Sequence, residues 1–223
     1  MNILVTGASG FVGQQLVNFL LKKGANVYSL GRNSSAGTFN YALSWPWRQE
    51  DIFSIVKEVK PDYFFHLAGN PHAENLKAAI DINASLSQIL LDAITYCGFQ
   101  NLTKCMLFGS AAEYGPILDG DLPLSEKYEC NPISNYGISK LMQTNYALKW
   151  SREGGIASVI RPFSIFGPNM PTYLAVGSFS KKIQKLANKG LKKGVIQTGS
   201  INVQRDFIDV NDVIEICWKL INN

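Results

Sequence analysis

Short apolar runs alternate along this sequence with longer segments in which apolar residues recur every three or four positions. The apolar runs predict β-strands over 2–6, 26–30, 62–67, 103–108 and 157–160. The periodic segments predict α-helices over 14–21, 51–60, 81–96 and 176–189, and from Ile138 onward. Strands and helices that alternate at this spacing are typical of a parallel sheet with helices on both faces. The pattern therefore predicts an α/β, doubly wound parallel sheet.

The remaining segments are less regular. Residues 34–47 are rich in Ser, Gly and aromatic residues, and we expect an irregular segment there. Near the end, 195–197 predicts a short strand, and 204–213 predicts an extended segment that leads into a closing helix up to Leu220. We expect Asp209 or Asn211 to cap that helix, because both side chains can accept hydrogen bonds from its free N–H groups.

A glycine-rich turn joins the first strand to the first helix, and it reads Gly7-Ala8-Ser9-Gly10-Phe11-Val12-Gly13. In such a turn the first glycine permits the tight bend, and the second lets backbone N–H groups approach a pyrophosphate. The third glycine lets helix and strand pack closely. The unpaired N–H groups at the helix start then face the phosphates. A strand, this turn and a helix indicate a dinucleotide site in a Rossmann-like fold.

The end of the second strand bears on which dinucleotide binds. Sites of this kind often carry an acidic residue there, which accepts hydrogen bonds from the adenosine ribose. This chain has Gly31-Arg32-Asn33 instead. An arginine with no neighbouring carboxylate can pair with a 2′-phosphate. We therefore expect NADP as the cofactor, with NAD as the alternative.

Two residues four positions apart offer acid–base chemistry. Tyr136 and Lys140 lie near the start of a predicted helix and share one of its faces. A tyrosine titrates near pH ~10, and a nearby ammonium favours its phenolate. We expect Lys140 to lower the pKa of Tyr136, which would then act as general acid/base. Ser110 follows a predicted strand and would lie at the ligand-binding edge of the sheet, whereas we expect His66 to anchor a loop.

Composition limits the class of protein. At 223 residues with 46% hydrophobic residues, the chain suits one sizeable domain. No window approaches the ~20 apolar residues that span a bilayer, and we see no leader segment, so we expect a cytoplasmic protein without a membrane partner. Four scattered cysteines with no CxxC pair predict reduced structural thiols and no metal site.

The net charge of +4 comes partly from one cluster of basic residues. Its members are Lys181, Lys182, Lys185, Lys189, Lys192 and Lys193. The cluster falls at helical spacing and lacks interleaved aromatic residues, so a solvated helix face explains it better than binding of nucleic acid.

Taken in order, the motifs resemble the extended short-chain dehydrogenase/reductases, the group of nucleotide-sugar epimerases, dehydratases and reductases. The resemblance runs from Asn2 to about Leu220. The motifs on which the resemblance rests are Thr6-Gly7-Ala8-Ser9-Gly10-Phe11-Val12-Gly13, His66-Leu67-Ala68-Gly69, Asn83, Ser110 with Tyr114-Gly115, Tyr136-Gly137-Ile138-Ser139-Lys140, Arg161-Pro162-Phe163 and Arg205-Asp206-Phe207.

The resemblance implies roles for single residues. It implies catalysis by Ser110, which would hydrogen-bond the substrate oxygen, by Tyr136 as acid/base and by Lys140, which would also hold the nicotinamide ribose. It implies cofactor contacts by Gly7, Ser9, Gly10, Phe11, Val12, Gly13, Arg32, Leu67, Ala68, Asn83, Tyr136, Lys140, Pro162 and Phe163. It implies substrate contacts by Ser110, by Arg205 and by Ser164, which stands where the family commonly has an asparagine.

The segment after Ser110 limits which reactions of the family this chain could catalyse. Relatives that eliminate water from the sugar resemble one another in placing an acidic residue two positions after this serine, often with another polar or acidic residue beside it. This chain has Ala112 and Ala111 at those positions. Glu113 comes one position late, and on a strand-like turn it would point away. Arg32 favours a reductase that takes NADPH and acts on the 4-keto group of a nucleotide-activated 6-deoxy sugar. A 4-epimerase with bound NAD and a non-catalytic dinucleotide sensor are the alternatives.

The resemblance also implies an organisation. We assign 1–165 to a dinucleotide-binding core and 166–223 to a partial substrate lobe interleaved with the last core elements. Family members usually continue for ~80 or more residues beyond this point, so we expect a small, truncated lobe. The helices that carry Asn83 and Tyr136 commonly pack against a second subunit, which predicts a homodimer. The substrate partner would be a nucleotide sugar, and no nucleic acid is expected.

Overall fold

The computed structural model describes residues 1–191, 193–200 and 202–222. Lys192 of the basic cluster, Ile201 and Asn223 lie outside the described residues. The strands are β1 (Asn2–Thr6), β2 (Asn26–Gly31), β3 (Phe39–Ala42), β4 (Tyr63–His66), β5 (Lys104–Phe108), β6 (Ile156–Ile160), β7 (Ser164–Phe166) and β8 (Phe207–Asp209). The α-helices are α1 (Phe11–Lys22), α2 (Gln49–Val59), α3 (Leu76–Ile80), α4 (Leu86–Tyr96), α5 (Asn135–Arg152), α6 (Ala175–Asn188) and α7 (Val210–Asn222).

Six strands form one parallel sheet in the order β3-β2-β1-β4-β5-β6. In its centre Val5 lies opposite Ser29 of β2 and Phe65 of β4. This is the strand order of the Rossmann fold, in which the chain builds outward in both directions from β1. The predicted α/β fold class is confirmed. Ligands of such sheets bind beyond the carboxyl ends of the strands, where the order reverses between β1 and β4.

An apolar layer lies on each face of the sheet. Successive side chains of a strand point to opposite faces, so Ile3 and Val5 belong to the layer under α1 and α7, and Leu4 belongs to the layer under α2, α4 and α5. Phe65 and Phe64 of β4 divide between the two layers in the same way. Burial of each such side chain contributes about 1.5–3 kcal/mol. Because both faces are covered, β1 and β4 are apolar almost throughout.

Two predictions about strands were wrong. The segment 34–47 contains β3, which pairs in parallel with β2 along its whole length. β3 is an edge strand with exposed side chains such as Phe39, so it lacks the apolar pattern by which buried strands are recognised. Conversely, 195–197 forms no strand, and Val195 is 92% exposed. An apolar run without a neighbouring strand has no partner for its backbone groups.

The predicted helix over 81–96 starts earlier than expected and has a defect. α3 begins after Asn75, whose side chain accepts a hydrogen bond from Ala78 N at 2.9 Å. A π-helical turn over Asp81–Ser85 then joins α3 to α4 and contains Asn83. Such turns occur mostly as single interruptions of α-helices and frequently at functional sites.

The last elements return to the core. β7 and β8 pair in parallel as a small second sheet. Asp209 caps α7 by accepting a hydrogen bond from Asn211 N at 2.7 Å, which confirms the first of the two predicted caps. α7 continues to Asn222 and buries Val213 and Cys217 against α1 and the sheet. No helix in the described part of the chain combines the length and the apolar composition that crossing a bilayer requires.

Candidate active site

The glycine turn lies against the end of β4. Gly7 has a positive φ of 71°, and a Cβ there would lie 2.7 Å from the backbone nitrogen of Ala68. A Cβ on Gly13 would lie 2.0 Å from the carbonyl oxygen of Gly7. Glycine is therefore required at both positions, at the first for backbone conformation and space and at the second for space. α1 begins after Gly10 with no side-chain cap and no acidic residue in its first turn, so its N–H groups suit an anion.

A cavity of about 560 Å³ extends along the carboxyl ends of the central strands. Gly7, Ser9 and Gly10 form part of its wall. Phe11, Val12 and Gly13 lie in the first turn of α1, and they are not among the lining residues. The volume lies within the range of small-molecule and cofactor sites. The cavity and the free helix start fit a dinucleotide whose pyrophosphate meets the glycine turn.

One end of the cavity is basic and aromatic. Arg32, Trp45 and Trp47 line it, and Arg32 and Trp45 also line a smaller adjoining cavity of about 400 Å³. Neither set of described lining residues contains an Asp or a Glu. The two indole rings lie edge to face, with centroids 6.5 Å apart. This end suits a flat base and a second phosphate group.

The loop after β4 forms the middle of the wall and is held from below. Leu67 and Ala68 line the cavity. The Thr6 hydroxyl accepts a hydrogen bond from Ala68 N at 3.2 Å and pairs with His66 Nδ1 at 2.7 Å. His66 thereby anchors the loop, as expected. Burial, and to a lesser extent Lys140, lowers the pKa of His66 to about 3, so the imidazole is neutral at physiological pH.

Asn83 holds the next part of this loop and does not line the cavity itself. Its Oδ1 accepts a hydrogen bond from Asn70 N at 2.8 Å, and its Nδ2 donates to Ser139 Oγ at 2.9 Å. Asn83 is fully buried, so these contacts join the π-helical turn, the loop and α5. The neighbouring Gly69 lines the cavity, and a Cβ there would lie 2.9 Å from Asn83 Oδ1 and 3.4 Å from Lys140 Nζ.

Ser110 and Tyr136 lie on two different elements, and neither is among the residues that line the cavity. Ser110 caps the short 3₁₀ turn Ala111–Glu113, and Ser134 caps α5 six residues before Lys140. Burial raises the pKa of Tyr136, a hydrogen bond from the Ser110 side chain opposes this, and Glu113 and Tyr173 raise it further. Tyr136 is therefore a protonated phenol at neutral pH.

Lys140 does not act on Tyr136 as the sequence suggested. Its Nζ donates to Phe108 O at 2.7 Å and to Gln143 Oε1 at 2.9 Å. The expected lowering of the Tyr136 pKa by Lys140 is not found, because burial dominates and Ser110 supplies the opposing hydrogen bond. Burial also lowers the pKa of Lys140 to about 8.

Glu113 is an unexpected member of the site. The 3₁₀ turn directs its side chain inward, so that Oε1 accepts from Ser110 N at 2.8 Å and Oε2 accepts from Thr144 Oγ1 at 2.8 Å. Arg161 Nε lies 4.0 Å from the same Oε2. Burial raises the pKa of this fully buried carboxyl, and these contacts oppose the rise. The Ser-x-x-Glu spacing is a capping-box pattern that could have revealed the inward turn.

The remaining predicted residues lie farther along the site. Pro162 accepts a hydrogen bond from Ala111 N at 3.1 Å and so supports the Ser110 turn. Phe163 stacks on Tyr114 with centroids 6.4 Å apart. Ser164 N donates to Asp206 O at 3.1 Å in the pairing of β7 with the segment before β8. Pro162, Phe163, Ser164 and the exposed Arg205 are not among the residues that line the cavity.

Two residues that the sequence did not single out form the far end of the cavity. His72 and Tyr173 both line it, and their rings meet edge to face with centroids 5.1 Å apart. His72 N donates to Asn70 Oδ1 at 2.9 Å, so the loop that Asn83 holds also positions this pair. Nothing in the local sequence links positions 72 and 173, because the tertiary fold alone brings them together.

The 3-2-1-4-5-6 sheet, the glycine turn and the Ser110–Tyr136–Lys140 group define the class of protein as a Rossmann-fold, dinucleotide-dependent enzyme. The NAD dependent epimerase/dehydratase family matches residues 3–223, and the chain belongs to that family. Its curated relatives include enzymes such as the GDP-6-deoxy-D-mannose reductase of Pseudomonas aeruginosa. That protein is 28% identical over an alignment 230 residues long, which covers 99% of this chain and 70% of the relative.

Solved structures show the same architecture. RMD from Pseudomonas aeruginosa complexed with NADPH is 27% identical, with a TM-score of 0.79. The match covers 100% of this chain and 72% of RMD. The UDP-glucose 4-epimerase with UDP-glucose from Thermotoga maritima is 26% identical, with a TM-score of 0.83. The match covers 98% of this chain and 72% of the epimerase. The chain is thus an enzyme of the epimerase/dehydratase family, and the non-catalytic sensor considered from the sequence is set aside.

Proposed function

We propose that this enzyme is an NADPH-dependent reductase of a nucleotide-activated 4-keto-6-deoxy sugar. The observation that carries the proposal is the Tyr136 phenol, whose pKa is raised by burial although the Ser110 side chain opposes the rise. A reductase must begin its reaction with an acid that can give a proton to the ketone oxygen. A phenol whose pKa is raised by burial meets that requirement at neutral pH.

The roles of the residues follow from the charge that develops. When bound, NADPH supplies the hydride that reduces the ketone carbon. Ser110 donates a hydrogen bond to the ketone oxygen, and the Tyr136 proton converts that oxygen to the alcohol. Lys140, whose ammonium group lies next to Gly69 of the cavity wall, holds the ribose. The glycine turn, with Gly10 at the start of α1, holds the pyrophosphate.

Two features favour reduction over water elimination and epimerisation. Ala111 and Ala112 carry no groups that transfer protons, and both carboxylate oxygens of Glu113 are already hydrogen-bonded within the protein. Arg32 at a cavity end without a carboxylate suits the 2′-phosphate of NADPH. The reductase of Pseudomonas aeruginosa is a relative whose name states this reaction type. The similarity to the epimerase of Thermotoga maritima supports the alternative, a 4-epimerase with bound NAD.

The proposal includes an organisation of the enzyme. Residues 1–165 would bind the cofactor, and residues 166–223 would contribute to the sugar site while α7 completes the core. We propose a homodimer through α4 and α5, which expose Tyr96, Met142 and Leu148. Sedimentation velocity tests the dimer, and a monomer at micromolar concentration would contradict it.

The first experiment is a fluorescence titration of the purified chain with NADPH and with NADH. Tight NADPH binding with weak NADH binding supports the reductase. The same protein is then assayed with GDP-6-deoxy-D-mannose and NADP, which tests the reaction in the oxidising direction, and with UDP-glucose for epimerisation. Interconversion of UDP-glucose and UDP-galactose with co-purifying NAD would replace the reductase by the epimerase.

A further inference from the structure

Lys140, Gln143 and the carbonyl group of Phe108 form a closed set of hydrogen bonds. Lys140 Nζ donates to Phe108 O at 2.7 Å and to Gln143 Oε1 at 2.9 Å. Gln143 Nε2 donates to the same Phe108 O at 3.0 Å. Phe108 ends β5, two residues before Ser110, so the set joins α5 to the strand that delivers Ser110.

This set lies in the protein interior, where an ammonium group needs acceptors. Lys140 is 3% exposed and Gln143 is fully buried. Removing a charged amine from water is costly unless its hydrogens are accepted by protein groups. The amide oxygen of Gln143 accepts one hydrogen of the ammonium, and the Phe108 carbonyl accepts another. An apolar side chain at 143 would leave the ammonium with one acceptor fewer.

The two acceptors also direct the ammonium. They hold Nζ next to Gly69, where a Cβ would lie 3.4 Å from it, and Gly69 lines the cavity. The titratable groups that face Lys140 from other elements are the Glu113 carboxyl of the 3₁₀ turn and the imidazole of His66 on β4, which is neutral. Gln143 itself is neutral, so it fixes the ammonium without cancelling its charge.

We propose that Gln143 is a positioning residue for Lys140, which holds the ammonium at the cavity wall and stabilises its charged form. The proposal rests on the proposed function only in that Lys140 holds a nicotinamide dinucleotide. The sequence motifs single out Lys140 and not Gln143. Gln143 therefore adds a determinant of the pH range in which the cofactor binds.

Two substitutions separate this role from a purely structural one. Gln143→Glu places a carboxylate beside the ammonium and should raise the pKa of Lys140 by about 1 to 3. Gln143→Met keeps a similar volume but removes the acceptor, and it should lower that pKa by about 1 to 2. A structural role alone predicts no shifts of opposite sign. If one variant fails to fold, the other still tests the proposal through the sign of its shift in the pKa of Lys140.

The pKa of Lys140 is measured by NMR on protein labelled with ¹³C at lysine Cε, with the Lys140 signal identified by its loss in Lys140→Met. This readout needs neither cofactor nor activity. Gln49→Glu and Gln49→Met serve as controls, since Gln49 is exposed at the start of α2. Unchanged titration in both Gln143 variants, or shifts of the same sign, would overturn the proposal.

The second measurement is the affinity for NADPH as a function of pH. We expect binding to weaken as Lys140 loses its charge, and the alkaline limit should move up in Gln143→Glu and down in Gln143→Met. Shifts in the NMR titration without shifts in this limit would overturn the link to the cofactor. If the wild type binds NADPH but reduces no nucleotide sugar, the proposed function fails while both measurements still decide the role of Gln143.

Discussion

The Thr144 hydroxyl donates a hydrogen bond to Glu113 Oε2 at 2.8 Å, and this bond joins the turn that carries Ser110 to the helix that carries Tyr136. The other carboxylate oxygen accepts the backbone N–H of Ser110 at 2.8 Å. A single buried carboxyl thus links the two elements that carry Ser110 and Tyr136. Removal of either contact should affect both stability and catalysis.

Thr144→Val should destabilise the protein by about 1–3 kcal/mol, because it leaves one buried carboxylate oxygen without its hydrogen-bond donor. Urea unfolding followed by circular dichroism measures the change. Thr144→Ser keeps the hydroxyl group and serves as the matched control, with a much smaller loss expected. No loss in Thr144→Val together with a clear loss in Thr144→Ser, which lacks the methyl group, would show that the methyl group matters and the hydrogen bond does not.

Glu113 should make stability depend on pH. Burial raises the pKa of this carboxyl in the folded protein, so the folded state holds the proton more strongly than the unfolded state. Its contribution is therefore present below the ordinary Glu pKa and is lost as the pH rises through the raised value. Glu113→Gln should abolish this loss. The free energy of unfolding of both proteins, measured from pH 4 to pH 8, checks it, and parallel curves would contradict the prediction.

Tyr136→Phe should lower kcat by about 10²–10⁴-fold, the usual contribution of a general acid, while NADPH affinity changes little. Steady-state assays with GDP-6-deoxy-D-mannose and NADP, together with NADPH titration, measure the two effects. Tyr63→Phe is the control, since Tyr63 begins β4 at the amino end of the strand, away from the cavity. A variant that keeps more than about a tenth of the wild-type rate would disprove the role of Tyr136.

Arg32→Ala should weaken NADPH binding by about 10- to 100-fold and leave NADH binding nearly unchanged, because only NADPH carries the 2′-phosphate that a charged hydrogen bond would hold. Fluorescence titration with both nucleotides gives the ratio. Arg152→Ala, an exposed position in the last turn of α5, controls for the loss of positive charge. If the ratio of NADPH affinity to NADH affinity does not change, Arg32 does not bind the 2′-phosphate, and the epimerase is favoured.

Tyr173→Ala should raise the KM for the sugar substrate by about 2- to 10-fold, because it removes the ring that His72 contacts at the far end of the cavity. His72→Ala should have a similar effect, and the double variant should show less than the sum. KM values for sugar and for NADP are measured separately. A rise confined to the KM for NADP would assign the pair to the cofactor.

Much of the site can be read from the sequence where function depends on local backbone geometry. The turn from Gly7 to Gly13 needs glycine for a positive φ and close packing, and these requirements act within a few residues. The spacing of Tyr136 and Lys140 follows from the helical repeat. The helix cap at Asp209 likewise depends on a contact between residues that are close in sequence.

The tertiary structure decided what depends on groups distant in sequence. β3 exists because β2 offers it a partner, and 195–197 stays irregular because no strand lies beside it. Tyr136 keeps a raised pKa because burial and Glu113 act on it, while Lys140 is held by Phe108 and Gln143. Periodicity and turn chemistry are local, so the alternation of most strands and helices and the candidate reactive groups could be predicted from the sequence. Their protonation states and partners required the fold, because burial and electrostatic contacts act through space.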